Sequence, residues 1–378
     1  MTVFKCKINF YLYPLILFFL YVPFLLNAQD SLKIPINPVK PTITIKNHLL
    51  VFPVIANSIE TGFSFGAAVT STYRINKTDT VGRTSNLQGI AIYSLKKQLV
   101  AALNSTIYFS HENYILTNQF SYSSFPDKFW GIGQNAPESA LEPYTFNQAY
   151  AYAHLQKKVA PHFFLGALYS YQNVFKVTYV QGGLFDKENV VGRNPYHVSG
   201  VGGSITYDDR NNAFSPDKGT FLQFYYNHFD KTIGSTYNYN QFVVDTRKYF
   251  RVYKDQVLAF QLFGNFNTGN QVPLRSLASL GGSSMMRGYY EGRYRDRDMA
   301  VVQSEYRFPI WKLLGGVVFA STGNVGHAPS DFSFEDLKYS YGAGLRVALS
   351  KSEKLNLRID YGFAKNSNGF YLQVAEAF

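Results

Sequence analysis

The sequence predicts an all-β fold: a transmembrane antiparallel β-barrel of sixteen strands with one long loop folded into the lumen. Aromatic side chains make up 17% of its 378 residues, but charged side chains only 16%, against about 25% in a typical soluble domain. Alternating apolar and polar residues recur along the chain, and short linkers alternate with long ones. These features are typical of a barrel wall that meets lipid outside and water inside.

Residues 1–28 are predicted to be a secretory signal peptide. Two lysines precede an apolar run at 10–26, and Ala28 lies before the expected cleavage site. A membrane anchor is the alternative, which the prolines inside the short run disfavour. The single cysteine, Cys6, falls within this segment, so the mature chain is expected to have no disulfide, thiolate metal ligand or cysteine nucleophile.

A short proline-containing segment follows the predicted signal. Residues 29–47 are mostly polar and are predicted to form an extended periplasmic lead-in. The barrel is predicted to occupy residues 48–378, and no second domain is expected.

The strands of the barrel are predicted from alternation with a period of two, which places alternate side chains on opposite faces. In 355–363, Leu357, Ile359 and Tyr361 share one parity, and Arg358 and Asp360 share the other. The first segment carries Pro53, and proline is confined to strand edges and starts. The sixteen predicted segments are 48–58, 62–75, 84–96, 98–110, 113–125, 143–158, 161–180, 196–209, 218–231, 235–253, 255–268, 298–310, 313–324, 339–350, 353–364 and 368–378.

The chain has a formal net charge of +11, which can be interpreted in two ways. Solvation of that surface is the favoured interpretation, and a basic lumen or contact with anionic lipid headgroups is the alternative. Outer-membrane lipid is the expected partner, and nucleic acid is not expected behind an export signal. The chain ends at Phe378, which is predicted to close the last strand and to act as a C-terminal signal for assembly into the outer membrane.

One charged, glycine-rich stretch interrupts the alternation. It reads "GGSSMMRGYYEGRYRDRD" at 281–298 and leads into a strand that contains Glu305 and Arg307. The region 279–310 resembles the hallmark region of the BamA/TamA family of bacterial surface-antigen barrels. In that family a glycine-rich loop carries an Arg-Gly-aromatic tip, and the next strand carries Glu-x-Arg-x-Pro. The tip corresponds here to Arg287, Gly288 and Tyr289.

A second block, 207–222, is similar to the family's strand-turn-strand motif. The residues that carry this similarity are Asp208, Arg210, Pro216 and Gly219. The resemblance covers about 207–378 well and is weak before that.

The resemblance implies that the loop folds back into the barrel and that Arg287 pairs with acidic residues of the lumen wall, forming a latch. Glu305 lies on the polar parity of its strand and therefore faces inward, and Asp360 is the second candidate partner. An unpaired charge in a confined lumen is costly, whereas a charge-assisted pair would hold the loop. The family often has an acidic residue where Ser321 stands here, so one expected partner of Arg287 is absent. A solvated outer loop is the alternative.

The resemblance also implies a function: assisting the insertion or translocation of proteins at the outer membrane. Assembly members of the family carry periplasmic POTRA domains, for which the lead-in is too short. Nascent outer-membrane or secreted proteins and a separate periplasmic partner are therefore expected. A passive pore or structural barrel that has lost assembly activity is the alternative.

Enzymatic motifs are not found in the sequence. No histidines show metal-ligand spacing, and no nucleophile elbow or phosphate-binding loop is present. The chain is predicted not to be an enzyme and to use neither metal nor cofactor. A hydrolase built from Ser, His and acidic residues on the barrel wall is the enzymatic alternative.

Overall fold

The structure is a computed structural model that describes residues 48–76, 79, 82–351 and 353–378. The predicted signal peptide and periplasmic lead-in lie outside these residues. The strands, in chain order, are β1 (His48–Ser58), β2 (Gly62–Tyr73), β3 (Ser85–Ser94), β4 (Leu99–Tyr108), β5 (Tyr114–Phe129), β6 (Glu142–Ala160), β7 (Phe163–Tyr179), β8 (Tyr196–Asp208), β9 (Gly219–Phe229), β10 (Tyr239–Tyr253), β11 (Gln256–Thr268), β12 (Ala278–Leu280), β13 (Tyr294–Asp296), β14 (Asp298–Trp311), β15 (Leu314–Gly326), β16 (Lys338–Ser350), β17 (Leu355–Ala364) and β18 (Ser367–Val374).

Sixteen of these strands form one antiparallel sheet in chain order, and β12 and β13 form a separate pair between β11 and β14. The sheet closes into a barrel as the sequence predicts, because β1 and β18 approach within 8 Å. The seam is the junction between these two strands. In the part of the chain that the structure describes, no hydrogen-bonded ladder joins them.

Helices occupy little of the barrel. In the ranges that the structure describes, one short α-helix, α1, spans Leu184–Lys187, and 3₁₀ turns lie at Ser110–Glu112, Glu138–Ala140, Lys231–Ile233, Leu274–Ser276 and Pro329–Asp331. Within the described residues, no helix has the length and apolar character needed to cross a bilayer.

The two faces of the sheet differ in the way that the alternation predicts. Val302, Val318 and Leu345 are between 43% and 49% exposed on the outer face. Their polar sequence neighbours on the inner face, such as Gln303 and Arg346, are buried. A soluble protein would bury the apolar face instead, so the outer surface is suited to lipid.

The connections differ between the two rims of the barrel. The rim that carries the longest ones, including 180–195 and 269–297, is the outward rim, and the other is the periplasmic rim. The sequence predicts short connections at one rim and long ones at the other, but the periplasmic connection 209–218 has ten residues. Its own side chains order it, since the Asn211 amide donates a 2.7 Å hydrogen bond to Asp217.

The last predicted strand is too long. The segment 368–378 was expected to be a strand throughout, but β18 ends at Val374. Ala375 has a φ of +72°, and the four residues that follow β18 turn into the lumen. Phe378 therefore does not close an alternating strand, and residues 375–378 are called the inward tail below.

Candidate functional site

The long connection 269–297, called the inward loop, is a packed element inside the barrel. Its two strands pair Ala278 with Asp296 and Leu280 with Tyr294. Buried apolar side chains of the loop pack against the inner wall at the outward end, among them Leu280 and Met286, which are both fully buried. The sequence predicted an inward loop but not this hairpin.

Arg287, at the tip of the inward loop, lies between two carboxylates of the wall. One of its terminal nitrogens donates to Glu305 on β14 and the other to Asp360 on β17. The three side chains are 1%, 0% and 0% exposed. The guanidinium carbon also lies 3.6 Å from the centroid of the Phe319 ring. Because the two nitrogens bind carboxylates on two different strands, the Arg287 side chain connects the loop to two parts of the wall.

Two glycines allow the tip to reach the wall. Gly288 has a φ of +117°, and a Cβ atom there would lie 2.7 Å from the carbonyl carbon of Phe363. On the wall, a Cβ at Gly362 would lie 2.6 Å from the Arg287 carbonyl. The Gly288 amide donates to the Tyr371 hydroxyl at 3.0 Å, and Ser367 donates to the Gly288 carbonyl at 2.7 Å. Any side chain at either position would push the two backbones apart.

The contact of Arg287 belongs to a larger charge network. Arg307 donates to Glu305 at 2.8 Å, and Arg346 donates to Asp360 at 2.6 Å. Arg358 approaches Asp360 at 3.5 Å. The sequence singled out Arg307 but not Arg346 or Arg358 as members. The sequence could have indicated both arginines, because each lies among the inward-facing polar residues of its strand.

The structure thus brings Arg287, Glu305, Arg307 and Asp360 together, with Gly288 at the same contact and Tyr289 beside it in the packed loop. The function of this cluster as a latch stays a prediction. Ser321, which stands where the family often has an acid, shares a 2.8 Å hydrogen bond with Ser340. Arg287 therefore binds two carboxylates, from β14 and β17, although the acidic residue expected at position 321 is absent.

The inward tail joins the same network from the periplasmic end. Glu376 accepts a 2.6 Å hydrogen bond from Arg346, and the Phe378 carbonyl accepts one at 3.0 Å from Arg307. The Phe378 ring is 4% exposed and packs against β10 and β11, at Tyr249, Val257 and Ala259. Because β10 and β11 are far from β18 in the sheet order, the tail crosses the lumen. The role of Phe378 as an assembly signal stays a prediction.

Replacing Phe378 by Ala should destabilise the barrel by about 3–5 kcal/mol, the usual cost of emptying a buried phenylalanine site. The measurement is the free energy of unfolding of protein refolded in detergent, which avoids any effect on cellular assembly. Phe334→Ala is the matched control, since Phe334 is 81% exposed. Equal, small losses in both variants would contradict the packing described for the tail.

The strand-turn-strand residues form a different cluster, at the periplasmic rim. Asp208 accepts hydrogen bonds from Arg210 at 2.8 Å and from Arg83 at 2.5 Å. Pro216 is buried. Gly219 has a φ of +110°, and a Cβ there would lie 2.7 Å from the Arg210 Cα. These four residues therefore order the connection between β8 and β9 and do not approach Arg287.

A carboxyl group that the sequence did not single out links the inward loop to the seam. Glu60 lies in the turn between β1 and β2 and accepts a 3.1 Å hydrogen bond from the Glu291 amide of the inward loop. Burial, together with the nearby Glu291 carboxylate, raises the pKa of Glu60 to about 7. Burial therefore favours the protonated form of Glu60, while the hydrogen bond from the Glu291 amide favours the charged form.

This raised pKa predicts a pH dependence. An acid whose pKa is higher when folded contributes stability that is complete below its unfolded pKa, near 4.5, and is lost as pH rises through about 7. The midpoint temperature of thermal unfolding should therefore decrease as the pH is raised from 5 to 8. Glu60→Gln keeps an acceptor without a charge and should reduce that decrease, whereas a pH profile identical to that of the parent would count against the raised pKa of buried Glu60.

Comparison with known proteins agrees with these observations. A β-barrel with an apolar outer face, a polar lumen and an inward loop defines the class of outer-membrane barrel proteins. Residues 63–378 match the Omp85 superfamily domain, so the chain belongs to the Omp85 superfamily. No curated protein matches the sequence significantly.

Three solved structures share the fold. BamA from Haemophilus ducreyi lacking POTRA domains 1–3 has a TM-score of 0.54 and 14% identity, with 87% of this chain and 70% of that chain covered. CdiB from Acinetobacter baumannii has a TM-score of 0.53 and 12% identity, with 86% and 65% covered. CdiB from Escherichia coli has a TM-score of 0.55 and 10% identity, with 87% and 61% covered. The chain thus spans less than two thirds of either CdiB chain.

Proposed function

We propose that this barrel assists the insertion or translocation of other proteins at the outer membrane. Members of the superfamily, including BamA and CdiB, mediate these processes. The substrates would be nascent outer-membrane or secreted proteins, delivered by a separate periplasmic partner.

The observation that carries this proposal is the seam. Each of β1 and β18 is paired with a neighbour along one edge, while no ladder between them is present in the residues described. Unpaired backbone N–H and C=O groups are costly in lipid, and an open strand edge can pair with an added strand. An incoming polypeptide could satisfy these groups by adding to the seam as a strand.

The filled lumen supports this role over a passive pore. The inward loop packs against the inner wall in the outward half of the lumen, and the inward tail packs against β10 and β11 in the periplasmic half. A pore would need an open, water-filled path.

The test is insertion of an unfolded outer-membrane barrel into proteoliposomes that contain this chain, measured by protection from protease. A disulfide between Ile55→Cys and Phe370→Cys, each three residues from its strand end at the outward rim, is designed to close the seam, and non-reducing electrophoresis shows whether the bond forms. The matched control is a disulfide between Val302→Cys and Thr322→Cys, which are already partners in the ladder between β14 and β15. We expect insertion to stop in the first variant and to continue in the second. No insertion by the parent chain, with its periplasmic partner present, would refute the proposal.

A further inference from the structure

We propose a second binding site: a cavity at the outward rim that binds a phosphorylated sugar, such as the headgroup of a glycolipid. This inference does not rest on the proposed insertion or translocation activity. It starts from a cavity of about 450 Å³ that lies outside the charge network of the lumen. Its volume is in the range of small-molecule sites.

The walls of this cavity come from both sides of the seam and from the inward loop. Ile59 belongs to the turn after β1, and 365–367 belong to the turn before β18 and its first residue. The loop contributes Tyr289, Tyr290 and Arg293. A ligand held here would therefore touch the loop and both edges of the seam at once.

Positive charge dominates the lining. Four cations, Lys128, Arg293, Lys338 and Lys365, face a single acidic residue, Glu138. Glu138 accepts a hydrogen bond from Asn366 at 3.1 Å. Across the described part of the chain, none of the four cations has a carboxylate within 4.0 Å. One terminal nitrogen of Arg293 is buried without a hydrogen-bond partner. Grouped cations that form no ion pair favour an anion, and a phosphate offers oxygens to several of them.

Aromatic rings form the rest of the lining. The guanidinium of Arg293 lies 4.4 Å from the ring centroid of Tyr294 and 5.2 Å from that of Trp130. The Lys128 ammonium lies 5.3 Å from the centroid of Tyr290. Such rings offer flat apolar surface beside the charges, which matches a sugar ring that carries a phosphate. The cavity opens at the outward rim of an outer-membrane barrel, where the headgroups of the outer leaflet lie.

The two tryptophans of the chain provide a direct probe. Trp130 lines the cavity, whereas Trp311 is 67% exposed at the opposite rim. In a Trp311→Phe protein, the fluorescence of Trp130 alone reports on the cavity. We expect a saturable change with glucosamine 1-phosphate and none with N-acetylglucosamine. In nanodiscs, we expect the same change with bisphosphorylated lipid A and not with its dephosphorylated form.

Matched charge variants test the residues. Lys338→Gln with Lys365→Gln should weaken glucosamine 1-phosphate binding by about tenfold for each charge removed. Lys97→Gln with Lys231→Gln removes two exposed cations of the same rim that lie outside the cavity and should leave binding unchanged. A response to the soluble probe alone would identify a free sugar phosphate as the ligand, and a response to both would identify a lipid headgroup.

Three results would overturn the proposal. One is the absence of a saturable response to any phosphorylated probe. Another is equal weakening in the two pairs of variants, which would indicate only general attraction to the rim. The last is inorganic phosphate binding as tightly as glucosamine 1-phosphate, since the aromatic wall would then contribute nothing. Heat-modifiable migration on gels shows whether each variant has folded.

Discussion

Replacing residues 281–297 by a short glycine-serine linker is expected to convert a poorly conducting barrel into a steadily conducting one. The replaced stretch contains Arg287, strand β13 and the buried Met286 and Tyr289. A barrel of sixteen strands encloses space wide enough for an aqueous channel when nothing fills it. The wall does not depend on the loop for its ladders, because β11 pairs directly with β14.

Single-channel recording in planar bilayers measures this effect. The parent chain should conduct weakly and irregularly, and the shortened chain should show large, steady steps. A matched control replaces 328–337, an outward connection separate from the inward loop, by a linker of the same kind. Large, steady conductance from the parent chain would contradict a filled lumen and favour the passive pore.

Arg287→Ala is expected to release the inward loop while the barrel persists. The change leaves Glu305 and Asp360 buried without their common partner. Breaking a buried pair typically costs about 3–5 kcal/mol. We expect the lower part of that range, because Arg307 and Arg346 still contact the two carboxylates. The strand ladders involve none of the lost contacts, so the loop should open locally.

Limited proteolysis with trypsin measures this release. In the parent, Arg295 is 2% exposed inside the barrel, and cleavage there should be slow. Arg287→Ala should speed it strongly. Arg287→Lys keeps the charge but lacks the fork that reaches both carboxylates, and should be intermediate. Glu305→Ala combined with Arg287→Ala should be little worse than either alone. Cleavage as slow as in the parent would show that apolar packing, and not Arg287, holds the loop.

Alternation was sufficient to predict most of the wall. The parity of Glu305 and Arg358 predicted that both face inward, because one face of every strand must suit lipid. The number of strands could be predicted for the same reason, because each strand that crosses the membrane needs its own alternating segment. Local pattern carries this information, and the family resemblance added the inward position of Arg287.

Contacts between distant segments could not be predicted in this way. Glu376 pairs with Arg346 only because Ala375 turns the chain inward after β18. Nothing in "VAEAF" indicates that turn, and alternation alone extended the strand to Phe378. Likewise, the contact of Glu60 with the amide of Glu291 joins residues 231 positions apart. Such contacts depend on the closed barrel, which brings both ends of the chain to one seam.

The most direct test of the central claim is the rate at which maleimide labels a thiol placed beside Arg287. The expected mature chain has no cysteine, so Met286→Cys introduces a single thiol at a fully buried position. Ser284→Cys, two residues away and exposed to the lumen, is the accessible control. If Arg287 holds the loop tip against the wall, Met286→Cys should label far more slowly than Ser284→Cys, and adding Arg287→Ala should abolish that difference. Equal labelling rates at 284 and 286 with Arg287 in place would contradict the claim.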